Sequence, residues 1–130
     1  MDDAALLARA DAAAARAYAP YSRFEVGCAV LTRGGDVIEG DNVENAAYPL
    51  GVCAERTAFA RAIATGHRPG DFVVAAITAS PCGGCRQWLA EMEVERVVFR
   101  NGGRVVTMTV DELLPEQFEP SILPPGRRAS

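Results

Sequence analysis

Two short stretches, well separated along the chain, only make chemical sense if the fold brings them together. They are Cys53-Ala54-Glu55-Arg56 and Pro81-Cys82-Gly83-Gly84-Cys85-Arg86-Gln87. Cys82 and Cys85 are spaced to sit on one face of a helix's first turn. With Cys53 they supply three thiolate ligands, a set that suits zinc and leaves a tetrahedral ion one open position for water. Any architecture for this chain must therefore deliver the start of one helix, at Cys53, to the start of another. Glu55 follows Cys53 closely enough for its carboxylate to reach such a water without replacing it as a ligand. That is the position of a general acid and base, because zinc lowers the pKa of its water and a placed carboxylate can move the proton.

The other metal-binding side chains do not complete the set. Cys28 lies in the apolar run Phe24-Glu25-Val26-Gly27-Cys28-Ala29-Val30-Leu31, where a free cysteine behaves as a small hydrophobe. His67, the one histidine, sits in Gly66-His67-Arg68-Pro69-Gly70 and reads as a solvated loop residue. A disulfide between Cys82 and Cys85 would leave Cys53-Ala54-Glu55 without a purpose. The chain opens on Met1-Asp2-Asp3, without the charged-then-apolar pattern of a secretory signal, so a reducing, cytoplasmic setting is expected.

The length of 130 residues suits one domain, here residues 1–120, with a flexible tail over 121–130 rich in proline and arginine. No apolar run is long enough to span a bilayer, so no membrane partner is expected. The formal net charge of −4 argues against affinity built on neutralising phosphates, so no nucleic-acid partner is expected either. A small neutral ligand fits better.

The pattern predicts a first helix, capped by Asp2 or Asp3, that runs to about Tyr18 and is ended by Pro20. An aromatic loop, Tyr18-Ala19-Pro20-Tyr21-Ser22-Arg23-Phe24, leads into a strand over 24–32. Tyr18 and Tyr21 are expected to anchor the helix to the sheet. Arg33-Gly34-Gly35-Asp36 turns the chain into a second strand ending near Asn42. A helix runs from Cys53 to about Thr65, stopped by Gly66, and a strand follows over Phe72 to Thr78. Ser80 and Pro81 are expected as cap and first-turn residue of the next helix. Strands over Val94 to Arg100 and Arg104 to Met108, joined by Asn101-Gly102-Gly103, must be antiparallel. Thr109-Val110-Asp111-Glu112 is a capping box for a last short helix before Pro115. The expected fold is α/β, a three-layer α/β/α sandwich around a mixed five-stranded sheet.

Three thiolates on one zinc leave the site with a net negative charge, which opposes ionisation of its water. Arg56 and Arg86 follow Glu55 and Cys85 directly, and each is a candidate to donate hydrogen bonds to sulfur; a solvated helix arginine is the alternative for both. Asn42 and Glu44, on spacing alone, read equally as a polar turn after a strand. Phe24 and Phe118 read as core.

H-x-E, or its all-cysteine form C-x-E, followed by P-C-x-x-C is the signature of zinc nucleobase deaminases. With the aromatic loop 18–24, Asn42-Val43-Glu44-Asn45-Ala46-Ala47-Tyr48, Cys53-Ala54-Glu55-Arg56-Thr57-Ala58, the Ser80 to Gln87 segment, and Glu112-Leu113-Leu114-Pro115 with Phe118, the chain resembles the small, homotetrameric cytidine deaminases almost throughout. The resemblance implies one Zn2+ per chain on Cys53, Cys82 and Cys85, with Glu55 as the catalytic proton shuttle. It implies that Asn42 and Glu44 grip a ribose hydroxyl, Phe24 packs on the pyrimidine, and Ala54 offers a backbone contact to the base. Tyr48 and Phe118 would line a neighbouring subunit's pocket in a homotetramer with shared sites. The implied reaction is hydrolysis of cytidine and deoxycytidine to uridine and deoxyuridine plus ammonia, a step of pyrimidine salvage. Two departures stand out: Thr78-Ala79 leads almost directly into Ser80-Pro81 where the family has a longer loop, and Ala47 stands where a cysteine is frequent. Two other readings fit parts of the pattern, a deaminase of another nucleoside such as blasticidin S and a non-catalytic zinc-stabilised binding module. Only the second has no use for Glu55.

Overall fold

The computed structural model describes residues 1–124. Its first helix, α1 (Asp3–Ala14), starts where the Asp2 carboxylate accepts a hydrogen bond from Ala5 N at 2.8 Å, and it buries Leu6, Leu7, Ala10 and Ala13. It stops at Ala14, short of the expected Tyr18, because tertiary pairing takes the backbone of that tyrosine. Tyr18 N donates to Asn42 O at 3.0 Å and Tyr18 O accepts from Glu44 N at 2.8 Å, forming an isolated parallel bridge to Val43.

Strands β1 (Gly27–Thr32) and β2 (Val37–Asp41) form the expected hairpin, with Gly35 at φ 95° in its turn. β1 begins at Gly27 rather than Phe24, and Asn42 is the reason. Its side-chain amide donates to Phe24 O at 2.9 Å and accepts from Val26 N at 2.8 Å, occupying backbone groups that a longer ladder would have used. Helix α2 (Ala54–Ala64) is followed by β3 (Phe72–Ile77), α3 (Gly83–Glu91), β4 (Arg96–Asn101), β5 (Arg104–Met108) and α4 (Val110–Leu113). The Thr109–Glu112 capping box forms in full. Ser80 and Pro81, expected to open α3, precede it. Cys82 is the N-cap, and the helix proper starts at Gly83. Residues 120–122 form a 3-10 turn; the rest of the tail expected from residue 121, from 125 on, lies outside the described residues.

The sheet order is β2-β1-β3-β4-β5, antiparallel at every pair except β3–β4, which α3 connects as a crossover. Period-two alternation divides the core between the two faces. Cys28, Val30, Ala75, Ile77, Val97 and Phe99 pack with Ala54, Ala58 and Phe59 of α2, Leu89 of α3 and Leu113 of α4. Ala29, Val74, Ala76 and Val98 pack with Leu6, Leu7 and Ala10 of α1. The result is the three-layer α/β/α sandwich around a mixed sheet. Two glycines let the layers close at backbone contact. A Cβ at Gly27 would stand 1.9 Å from Ala10 O of α1, and one at Gly40 would stand 2.4 Å from Ala58 N of α2. Among the described residues no helix is long and apolar enough to cross a membrane.

Glu39 of β2 ties both helical layers to the sheet edge. Its carboxylate pairs with Arg9 at 2.5 Å and with Arg16, both at or just beyond α1, and its carbonyl accepts from Arg61 of α2 at 2.6 Å. Burial pulls this carboxyl's pKa up, but the hydrogen bonds and charges of Arg9 and Arg16 outweigh it and leave the group below the usual carboxylate value. A depressed folded pKa contributes stability above the unfolded value of about 4.3, and that contribution disappears as pH falls through the folded value. Glu39→Gln is therefore expected to lower stability in urea unfolding by about 1 kcal/mol at neutral pH. The gap to the parent should close under acid conditions. Equal stability at neutral pH would mean that these ion pairs are not made in solution.

Candidate zinc site and catalytic cleft

Cys53 and Cys82 occupy equivalent places, each the N-cap of its helix, and neither side chain bonds to the helix it caps. Both sulfurs are left free to turn outward toward each other. Cys85, in the first turn of α3 and fully buried, completes the group: the Sγ atoms of Cys53, Cys82 and Cys85 all lie within 4.8 Å of one another. The positive ends of two helices face this group, a setting that suits negative charge. Cys53 is pulled down to about 6, first by the hydrogen bond from Cys85 and then by Cys82 and the charge of Arg56, against an opposing effect of burial. Cys85 is pushed up, because it donates the hydrogen bond that Cys53 receives and because burial and the Glu55 charge add to this. Such a thiol–thiolate cluster is a ready soft-donor set for zinc.

Glu55 lies in the first turn of α2, 3 % exposed, and stands outside the thiol group. Burial raises its pKa, and the neighbouring Cys53 charge adds to that, partly offset by Arg56. Arg56 itself lies against the first turn of α3. One end of its guanidinium occupies the space a Cβ would take at Gly84, at 2.3 Å, and Cys85, Cys53 and Cys82 all favour its charged form. Its Nε is buried without a hydrogen-bond partner among the described residues. Arg86 does something else. It donates to Pro81 O at 3.0 Å and to Leu113 O at 2.9 Å, pinning the approach to α3 against the end of α4.

A cleft of ≈ 280 Å³ opens over these groups, lined by Ser22, Phe24, Val26, Asn42, Glu44, Cys53, Ala54, Glu55, Ala79, Ser80, Cys82 and Cys85. The structure thus gathers the three thiols, Glu55, Ala54, Asn42, Glu44 and Phe24 around one space. Phe24 is 62 % exposed, not core as its sequence context alone suggests. Tyr48 and Phe118 do not line this cleft. They are 73 % and 58 % exposed, with Tyr48 set edge-on to the Tyr21 ring at 5.8 Å. Tyr18 and Tyr21 are likewise exposed and do not anchor the helix to the sheet. Cys28 is fully buried, and burial pushes its thiol up, as befits an inert core residue. His67 lines no part of the cleft. Instead of lying free in a loop, it packs near Phe72 with Asp36 at 3.8 Å and Asp71 at 4.0 Å.

Ser22 was not legible as a cleft residue. Its hydroxyl donates to Glu44 Oε2, its backbone N donates to Glu44 Oε1 at 3.1 Å, and its Oγ accepts from Phe24 N at 3.0 Å. Rings dominate the pattern of the aromatic loop, while the residue that links the loop to Glu44 is the small polar one between them.

A sandwich that carries three thiols and one non-ligating buried carboxylate to a single cleft is a scaffold for hydrolytic zinc chemistry. Residues 1–101 match the cytidine and deoxycytidylate deaminase zinc-binding region, and the chain belongs to that family. A cytidine deaminase of Halalkalibacterium halodurans is 44% identical over 127 residues, covering 91% of this chain and 95% of the relative. One from Sporosarcina psychrophila is 40% identical over 134 residues, covering 91% and 92%. The crystal structure of cytidine deaminase from Burkholderia pseudomallei superimposes with a TM-score of 0.86 at 44% identity, covering 91% of this chain and 100% of that one.

Proposed function

We propose that this chain hydrolyses cytidine and deoxycytidine to uridine and deoxyuridine with release of ammonia, in pyrimidine salvage. The observation that carries the reading is Glu55, a buried carboxylate that shares the cleft with the thiol group and stands outside it. Cys53, Cys82 and Cys85 hold the zinc, which when bound supplies Lewis-acid activation of water. Glu55 accepts a proton from the attacking water and delivers it to N3 of the base; it then takes the proton of the new C4 hydroxyl and passes it to the amine, so that the C4 carbonyl forms as the C–N bond breaks and ammonia leaves. Arg56, set against the first turn of α3 beside Cys85, offsets the charge of the thiolates.

Counting hydrogen-bond capacity supports the sugar contact. Asn42 spends one amide N–H on Phe24 O and one lone pair on Val26 N, so it keeps one donor and one acceptor. Glu44 Oε1 accepts from Tyr21 N and Ser22 N, and Oε2 accepts from Ser22 Oγ, so a single acceptor site remains on Oε2. A sugar hydroxyl, donor and acceptor at once, complements the pair. Phe24 is placed to pack on the pyrimidine, and the Ala54 backbone is placed to meet the base edge.

The assembly proposed is a homotetramer with shared sites. Tyr48, Leu50 and Phe118 are large apolar side chains left 73 %, 68 % and 58 % exposed, an arrangement that marks a contact surface. Tyr48 and Phe118 would then line the cleft of a neighbouring copy. The four free thiols are consistent with the cytoplasm as the compartment. Sedimentation should give the mass of four 13.8 kDa chains. Tyr48→Ala is expected to weaken assembly and raise KM for cytidine about tenfold. A fully active monomer would remove the shared site.

The function itself is tested by ammonia release from cytidine, deoxycytidine, adenosine and blasticidin S, measured with zinc content on one sample. Release from the two cytidines is expected. A zinc-loaded protein active only on blasticidin S, or on none of the four, would refute the reading.

A further inference from the structure

Ser22 is the point where the sugar side and the base side of the cleft are joined. Its one hydroxyl proton goes to Glu44 Oε2, and its oxygen receives the N–H of Phe24 at 3.0 Å. Between Ser22 and Phe24 the chain passes through Arg23 at φ 59°, a left-handed conformation that a residue with a side chain adopts only when its surroundings hold it there. The loop on which Ser22 rides is fastened to Glu44 at three donors: Tyr21 N, Ser22 N and Ser22 Oγ. Two of these are backbone groups on Oε1. Only the Ser22 hydroxyl occupies Oε2, the oxygen with a remaining acceptor site.

We infer that Ser22 is a positioning residue for substrate recognition: its hydroxyl fixes the rotation of the Glu44 carboxylate and so aims the one free acceptor site at the sugar. This rests on the reading of Glu44 as a sugar contact. Without the hydroxyl, the carboxylate keeps its two backbone donors on Oε1, but Oε2 loses the partner that defines where its other lone pair points. A hydrogen bond to a charged group held in place by a second hydrogen bond is worth roughly tenfold or more in binding.

The test compares kcat/KM for cytidine with that for 2′,3′-dideoxycytidine, which lacks the 2′ and 3′ hydroxyls and keeps the 5′ one. Four proteins are assayed with matched zinc content: Ser22→Ala, Ser22→Thr, Glu44→Ala and the Ser22→Ala/Glu44→Ala double variant. Ser22→Ala is expected to lower the preference for cytidine over its dideoxy analogue about tenfold. Activity on the analogue should fall by a smaller factor than activity on cytidine, the part owed to the lost acceptor for Phe24 N, with the melting temperature preserved because the position is exposed. Ser22→Thr, which keeps a hydroxyl, should restore the preference. Glu44→Ala should abolish it, and the double variant should lose nothing further. If Glu44→Ala leaves the preference intact, the sugar reading of Glu44 fails and the role of Ser22 falls with it. A Glu44→Ala loss beside an unaffected Ser22→Ala overturns the role of Ser22 alone. Equal losses on both substrates in Ser22→Ala also overturn it, since they would show that the hydroxyl merely supports the loop.

Discussion

Glu55→Gln is expected to lower kcat for cytidine by about three to four orders of magnitude while leaving the chain folded and zinc-loaded. Glutamine has the same shape, so it fits a site that leaves Glu55 only 3 % exposed. The carboxylate is outside the thiol group, so its loss does not remove a ligand. What disappears is the buried acidic side chain of the cleft, and with it the group that moves protons between water, N3 and the leaving amine. Burying a carboxylate among thiolates costs stability, so the neutral variant is expected to melt at the same temperature or higher. Calorimetry, metal analysis and single-turnover assays on one preparation check all of this. Activity within about tenfold of the parent would take Glu55 out of the mechanism.

Cys82→Ser should be nearly as damaging to activity for a different reason. Cys82 is the N-cap of α3 and its side chain makes no cap hydrogen bond. Serine is a better N-cap, so the helix itself gains and the effect of the substitution is confined to the lost ligand. Zinc content is expected to fall well below one per chain and turnover to fall by at least about a thousandfold. Zinc at about a hundred times its Kd stabilises a fold by about 2.7 kcal/mol, so the variant, like chelated parent protein, should melt about 10 °C lower. Both should retain a native far-ultraviolet spectrum, since the two core clusters are built from aliphatic and aromatic contacts away from Cys82. Cys28→Ser is the control. It disturbs the core and should still bind a full complement of zinc. Full zinc retention by Cys82→Ser would displace this residue from the ligand set.

Local chemistry in this chain was readable where it is self-contained. The Thr109–Glu112 box, the glycine turn at 101–103 and the thiol spacing each depend on residues close in sequence, and each appears as expected. Two of the misjudged boundaries share one cause. α1 ends early and β1 starts late because segment 42–44 captures backbone groups of Tyr18, Phe24 and Val26, a contact between distant parts of the chain. No local propensity could announce it. The same holds for the exposure of Phe24 and for Ser22: an isolated ring reads as core and an isolated serine as loop, until the fold places both at a cleft.

The connectivity of the sheet also sets an order of events during synthesis. α1 is fastened to β4 through Asp3–Arg96 and Asp11–Arg100, and β1 finds its inner neighbour only once β3 has emerged. Cys53 likewise waits for α3 before it has partners. A nascent chain can therefore lay α1 on β1 and β2 early, but its clasp to β4 and the meeting of the two cysteine-bearing helix starts wait until most of the domain is made.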